Sequence, residues 1–75
     1  MKREHIAYRI RAARLAAGLT QAELAARLGT YQPAVSSWER GLIPRAPRLA
    51  QIAEALGVTI EALIGVTPRG GRRDE

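Results

Sequence analysis

Residues 20–41, TQAELAARLGTYQPAVSSWERG, restrict the fold more than any other stretch, because they set two short helices on either side of one glycine. Thr20-Gln21-Ala22-Glu23 matches a capping box, in which the Thr hydroxyl and the Glu carboxylate each satisfy an unpaired backbone N–H at a helix start. Gln21 is then the first helical residue. Leu24, Ala25 and Leu28 recur with helical spacing and form an inward stripe, with Ala25 small where another helix would cross closely. Gly29 ends this helix after about two turns, too short to persist alone in water, so the rest of the chain must hold it. A following helix is predicted from Gln32 to Glu39, with Val35 and Trp38 on its buried side. Pro33 fits only in the first turn, where its missing N–H had no intrahelical partner. Gln32, Pro33, Ser36 and Ser37 face outward.

The remaining segments supply a core for this pair. Residues 3–17 place Ile6, Ile10, Ala13 and Ala17 on one helical face, and Gly18 ends that helix in a left-handed conformation, returning Leu19 to the interior. After Gly41, residues 42–47 read as a Pro-punctuated loop that closes where Pro47 opens a fourth helix, and Leu49, Ile52, Ala53 and Leu56 carry its apolar stripe. Gly57 stops it and Val58 turns back to the core. Thr59 is an N-cap for a last short helix, residues 60–64, with Glu61 near the positive end of its dipole. Ile60, Leu63 and Ile64 are more apolar surface than one short helix needs; some of it closes the monomer core, and a surplus patch of that kind marks an interface, here expected between two copies of the chain. Residues 66–75 are Gly- and charge-rich with nothing to bury and read as a disordered basic tail after a single domain, residues 3–65.

Composition narrows the function. The 75 residues are 47% hydrophobic but only 4% aromatic, so Ala, Leu, Ile and Val build the interior of an all-α domain. A chain this short buries only about 60% of its unfolded surface, and a dimer partner would add to its stability. There is no Cys and one His, so neither a disulfide framework nor a metal site is expected, and no cofactor. Basic residues number 12, all but Lys2 arginine, against 7 acidic ones, for a net charge of +5. That balance favours a polyanion, and the planar Arg fork suits phosphates and guanine edges. No apolar run approaches the ~18 residues of a membrane span, and the N-terminus lacks the apolar core of a signal peptide, so a cytoplasmic location is expected.

The run Thr20-Gln21, Leu24-Ala25, Gly29, then Gln32, Val35-Ser36, Trp38-Glu39-Arg40-Gly41, and finally Leu49, Ile52-Ala53, Ala55-Leu56-Gly57-Val58, resembles the lambda-repressor-like, Cro-type helix-turn-helix family of transcriptional regulators. The likeness covers roughly residues 6–64. It implies a compact five-helix DNA-binding domain, with the helix-turn-helix at helices two and three and the second of these entering the major groove. On the residues present, it makes Gln32, Pro33, Ser36 and Ser37 base-facing, with Gln32 able to pair bidentately with adenine. Thr20, Gln21, Tyr31, Arg40 and Arg45 become backbone contacts. Arg14 and Glu39 become an ion pair bracing the motif. Pro33 stands where many relatives carry a polar side chain, which restricts readout there to apolar contact. Tyr31 stands where relatives put a Ser or Thr N-cap, leaving Thr30 as the cap.

Competing readings are blander. Trp38, three residues from Val35, is a core residue rather than a stacking platform. Arg9 and Arg11 form a solvated face, as do the tail arginines Arg69, Arg72 and Arg73. Ser36, Ser37 and His5 lack an orienting acid and an oxyanion hole, so catalysis is not expected. Within the DNA reading, a dimeric phage- or bacterial-type repressor on a pseudo-palindromic operator competes with a restriction–modification controller. From another class comes an antitoxin-like chain whose main partner is a protein. No small-molecule ligand is expected.

Overall fold

The computed structural model describes residues 3–65, with side chains from His5 onward. Five helices follow one another: α1 Arg3–Ala16, α2 Gln21–Leu28, α3 Gln32–Glu39, α4 Ala46–Leu56 and α5 Ile60–Ile64. Among the described residues there is no strand, and no helix is long and apolar enough to cross a membrane. The expected basic tail, residues 66–75, lies outside the described residues.

Local chemistry sets most of the boundaries. The capping box at α2 is complete: the Thr20 N–H donates to Glu23 Oε1 at 2.8 Å, and the Glu23 N–H donates to Thr20 Oγ1 at 3.0 Å. At the other end Gly29 takes φ 69°, a conformation that costs other L-residues roughly 1–2 kcal/mol. Its turn lets the Thr30 N–H reach the Ala25 carbonyl at 2.9 Å, so the chain reverses within two residues and α3 can begin at Gln32. Helix α5 starts as expected, with the Ala62 N–H donating to Thr59 Oγ1.

Two starts differ from expectation. Tyr31, not Thr30, is the N-cap of α3, and its side chain accepts no capping bond. Pro33 compensates by fixing φ in the first turn and removing one donor that would need a partner. Helix α4 opens at Ala46 rather than Pro47, with Arg45 as N-cap. The second helical position also lacks an intrahelical acceptor for its N–H, so Pro47 is tolerated there.

Every helix contributes to one core, in which Ile10, Leu24, Val35, Ile52 and Leu63 are essentially without solvent contact. Helix α2 packs chiefly on α3, while α1 packs on α5, α3 and α4, so α1 and α4 form the platform behind the α2–α3 pair. Trp38 is buried beside Val35, as its spacing required. On α1 the inward face includes Ala7 and Arg14 and leaves Ala17 exposed, because the helix ends one residue early. One expectation for α5 is overturned. Leu63 is only 1% exposed and belongs to the monomer core, closing the end between α1 and α4, so it is not available to a dimer interface. Ile60 and Ile64 pack partly against the same core and keep part of their surface.

Candidate nucleic-acid interface

The first turn of α3 projects Gln32 and Pro33 into solvent, and Ser36 and Ser37 follow half-exposed on the next turn. Val35 and Trp38 anchor the opposite side of the helix, which prevents α3 from rolling about its axis. The Ser37 hydroxyl donates to the Pro33 carbonyl at 3.0 Å. That carbonyl, one turn back, is thereby occupied, and Ser37 presents outward only the acceptor side of its oxygen.

Behind this face lies a chain of four side chains drawn from three helices. Arg14 grips Glu39 with both arms of its fork, Nε to Oε2 at 2.6 Å and Nη2 to Oε1 at 3.0 Å, and donates Nη1 to the Leu19 carbonyl at 2.8 Å. Their side chains are 8% and 4% exposed. Gln21 Nε2 donates to the same Glu39 Oε1 at 3.0 Å, and Gln32 Nε2 donates to Gln21 Oε1 at 2.6 Å. The carboxylate sets the polarity of the whole chain. An ionised Glu39 only accepts, so Gln21 must turn its NH₂ inward and its oxygen toward Gln32. Among the described residues Gln32 therefore spends one N–H on Gln21 and keeps its Oε1 and a second N–H free, the acceptor and donor that an adenine edge requires.

Electrostatics reinforce the pair. Burial pushes the Glu39 carboxyl upward, but hydrogen bonds from Arg14 and Gln21 and the charges of Arg14 and Arg11 outweigh it and hold the group below its ordinary value. The hydrogen bond to Glu39 raises Arg14 in turn, against the opposing effect of burial. Glu39 is thus ionised at neutral pH, as the hydrogen-bond polarity requires.

The expected backbone contacts surround this face. The Thr20 hydroxyl accepts from Glu23 and retains its proton for an outside acceptor. Gln21 heads α2, where the first N–H groups of a helix lack intrahelical partners and attract anions. Tyr31 is 81% exposed at the N-terminal edge of α3. Arg40 and Arg45 are exposed on either side of the α3–α4 loop, whose path is set by Gly41 at φ 110° and by the Leu42 N–H donating to the Ser37 carbonyl at 3.0 Å.

One contributor escapes a reading of the sequence. Arg48, in the first turn of α4, donates Nη1 to the Leu28 carbonyl at 3.2 Å and lies 5.9 Å from the centre of the Trp38 ring. It thereby ties the end of α2 and the back of α3 to α4. A cation in a first helical turn opposes the macrodipole, and this local mismatch is the one signal that Arg48 has a tertiary partner.

Comparison with known proteins agrees with this architecture. The pattern of the helix-turn-helix family matches residues 10–63. Among solved structures, a hypothetical transcription factor from Neisseria superposes with a TM-score of 0.80 at 31% identity, over 92% of this chain and 79% of that one. Hydroxypropylphosphonic acid epoxidase from S. wedmorenis superposes with a TM-score of 0.79 at 29% identity, over 97% of this chain but only 38% of the enzyme. This chain thus spans about two-fifths of the epoxidase, and the likeness extends no further than that part. With five helices in this order, the capped α2–α3 turn and a match over most of its length, the chain belongs to the Cro/C1-type helix-turn-helix family of DNA-binding proteins.

Proposed function

We propose that this protein is a sequence-specific transcriptional regulator of the phage or bacterial repressor type, acting in the cytoplasm as a homodimer on a pseudo-palindromic operator. It works by occupying DNA rather than by catalysis and requires no cofactor or small-molecule ligand. The observation that carries this reading is the free donor–acceptor pair of Gln32, oriented through Gln21 and Glu39 at the exposed start of α3. The Neisseria relative, described as a hypothetical transcription factor, supports it.

In this mechanism α3 lies in the major groove. Gln32 reads an adenine, Pro33 offers apolar contact suited to a thymine methyl, and Ser36 and Ser37 face neighbouring base edges. Thr20, Gln21, Tyr31, Arg40 and Arg45 hold phosphates and fix the register. With so few side-chain hydrogen bonds to bases, part of the specificity comes from DNA shape. Ile60 and the exposed part of Ile64 join two copies, setting the recognition helices about 34 Å apart on successive major grooves.

Selection of bound duplexes from a random pool tests the proposal. Two inverted half-sites about one helical turn apart, with an A·T pair in each that Gln32→Ala no longer prefers, are expected. Enrichment of no sequence, combined with binding indifferent to salt, would instead favour the competing reading of an antitoxin-like or controller protein whose main partner is a toxin or a polymerase.

A further inference from the structure

Helix α1 is apolar on two sides. Its inner side carries Ile6 and Ile10 into the core. Its outer side, where a surface helix ordinarily carries charge, bears Tyr8 and Leu15, 69% and 53% exposed, with exposed Ala12 between them and exposed His5 one turn before Tyr8. The spacings three, four and three from His5 through Tyr8 and Ala12 to Leu15 are those of a coiled-coil seam. Tyr8 and Leu15 supply the bulk, and Ala12 opens a gap that admits the side chain of an approaching helix.

The flanks of the seam show what would cover it. Arg9 and Arg11 occupy the two positions beside the seam where coiled coils choose their partners by charge. Both are exposed, and among the described residues neither forms an ion pair with a carboxylate. Arg9 is held at its edge by the end of α5, lying so close over Gly65 that a Cβ there would stand 2.8 Å from its Nε. Helix α1 contains one acidic residue, Glu4, one heptad before Arg11, and none between residues 5 and 16. A second copy of α1 laid antiparallel on this seam would set arginine against arginine, and laid parallel it would bring the Glu4 position opposite Arg9 but leave Arg11 opposite Ala16. A helix with carboxylates beside its own apolar stripe would meet opposite charge on both sides.

We infer that the outer face of α1 is a docking surface for an acidic amphipathic helix of a partner protein, separate from the α2–α3 face and from the exposed residues of α5. Such a contact would let a bound partner be delivered to the DNA site, or compete for the regulator, without displacing α3.

The test uses the full chain and a labelled synthetic peptide of three heptads, with Leu at the seam positions and Glu at the flanking ones, followed by fluorescence anisotropy. Saturable binding is expected, weakened on the order of tenfold or more in the Tyr8→Ser/Leu15→Ser double variant, and undetectable for the same peptide carrying Lys in place of Glu. Both substituted side chains are largely exposed, and unchanged circular dichroism and melting temperature would certify the variant's fold. Failure of the Glu peptide to bind, equal binding to the double variant, or equal binding of the Lys peptide would overturn the inference. So would sedimentation showing that the chain self-associates through this seam and that the double variant does not. Co-sedimentation with phosphatidylglycerol vesicles that depends on Tyr8 and Leu15, without peptide binding, would assign the face to a membrane surface and equally overturn it.

Discussion

The side-chain oxygen of Gln21 lies 2.6 Å from the amide nitrogen of Gln32, so the first residue of α2 is bonded to the first residue of α3 across the turn between them. In the proposed complex one of these residues faces a phosphate and the other a base, and each limits how the other can rotate. In a double-mutant cycle, Gln32→Ala is expected to cost about 1–3 kcal/mol of discrimination at one base pair. Gln21→Ala should weaken binding generally and also relax that same base pair. The two effects should fall short of additive by at least ~0.5 kcal/mol, the lower end for residues in contact. Strict additivity in binding titrations would mean that the contact does not orient Gln32.

Truncating Arg14 to Ala leaves the Glu39 carboxylate buried with only Gln21 to donate to it. A loss of about 3–5 kcal/mol is expected, as for breaking a buried pair from one side. Replacing both residues by Met should be much milder, because no charge is then stranded. Urea denaturation of the three proteins checks the order, and a double variant as unstable as Arg14→Ala would contradict this account.

Acid should weaken the fold through Glu39. Its folded pKa lies below the unfolded value, so the stability it contributes is fully present above the ordinary Glu range, about 4.3, and is lost as pH falls through the folded value. Melting temperatures of the wild type should therefore decline more steeply below about pH 4.5 than those of Glu39→Gln. The variant is expected to be less stable near neutrality and flatter in acid. Parallel curves would show that another group carries the acid sensitivity.

Arg45 and Arg48 are three residues apart yet should behave differently. Arg45 is exposed and proposed to face a phosphate, so Arg45→Ala should lower the slope of log affinity against log salt by about one without changing the melting temperature. Arg48 donates to the Leu28 carbonyl and stacks near Trp38, so Arg48→Met should cost roughly 1–2 kcal/mol of stability and leave the slope unchanged. A salt slope altered by Arg48→Met would place that residue on the DNA instead.

Much of this molecule follows from local rules. The capping box at Thr20, the left-handed Gly29 and the proline in the first turn of α3 each act within a few residues, so the limits of α2 and the start of α3 could be read directly. The outward set Gln32, Pro33, Ser36 and Ser37 followed from the inward spacing of Val35 and Trp38. The cap of α3 was less legible, because Tyr31 offers no capping bond and the helix starts on the conformational restriction of Pro33 alone.

Relationships across distance were another matter. Leu63 looked like surplus surface because nothing in a five-residue helix tells which of its apolar residues closes the core and which remains outside. Arg48 carried only a mismatch with its helix dipole as a clue. The sequence by itself determined five helices, the caps of α2 and α5 and the outward residues of α3, since hydrogen-bond satisfaction and helical periodicity are local. Only the tertiary structure decided that Arg14, Glu39, Gln21 and Gln32 form one chain of hydrogen bonds and that its carboxylate dictates which atoms Gln32 leaves free. The physical reason is that amide orientation depends on partners as much as 25 residues away, brought within hydrogen-bonding distance only when α1 packs against the α2–α3 pair.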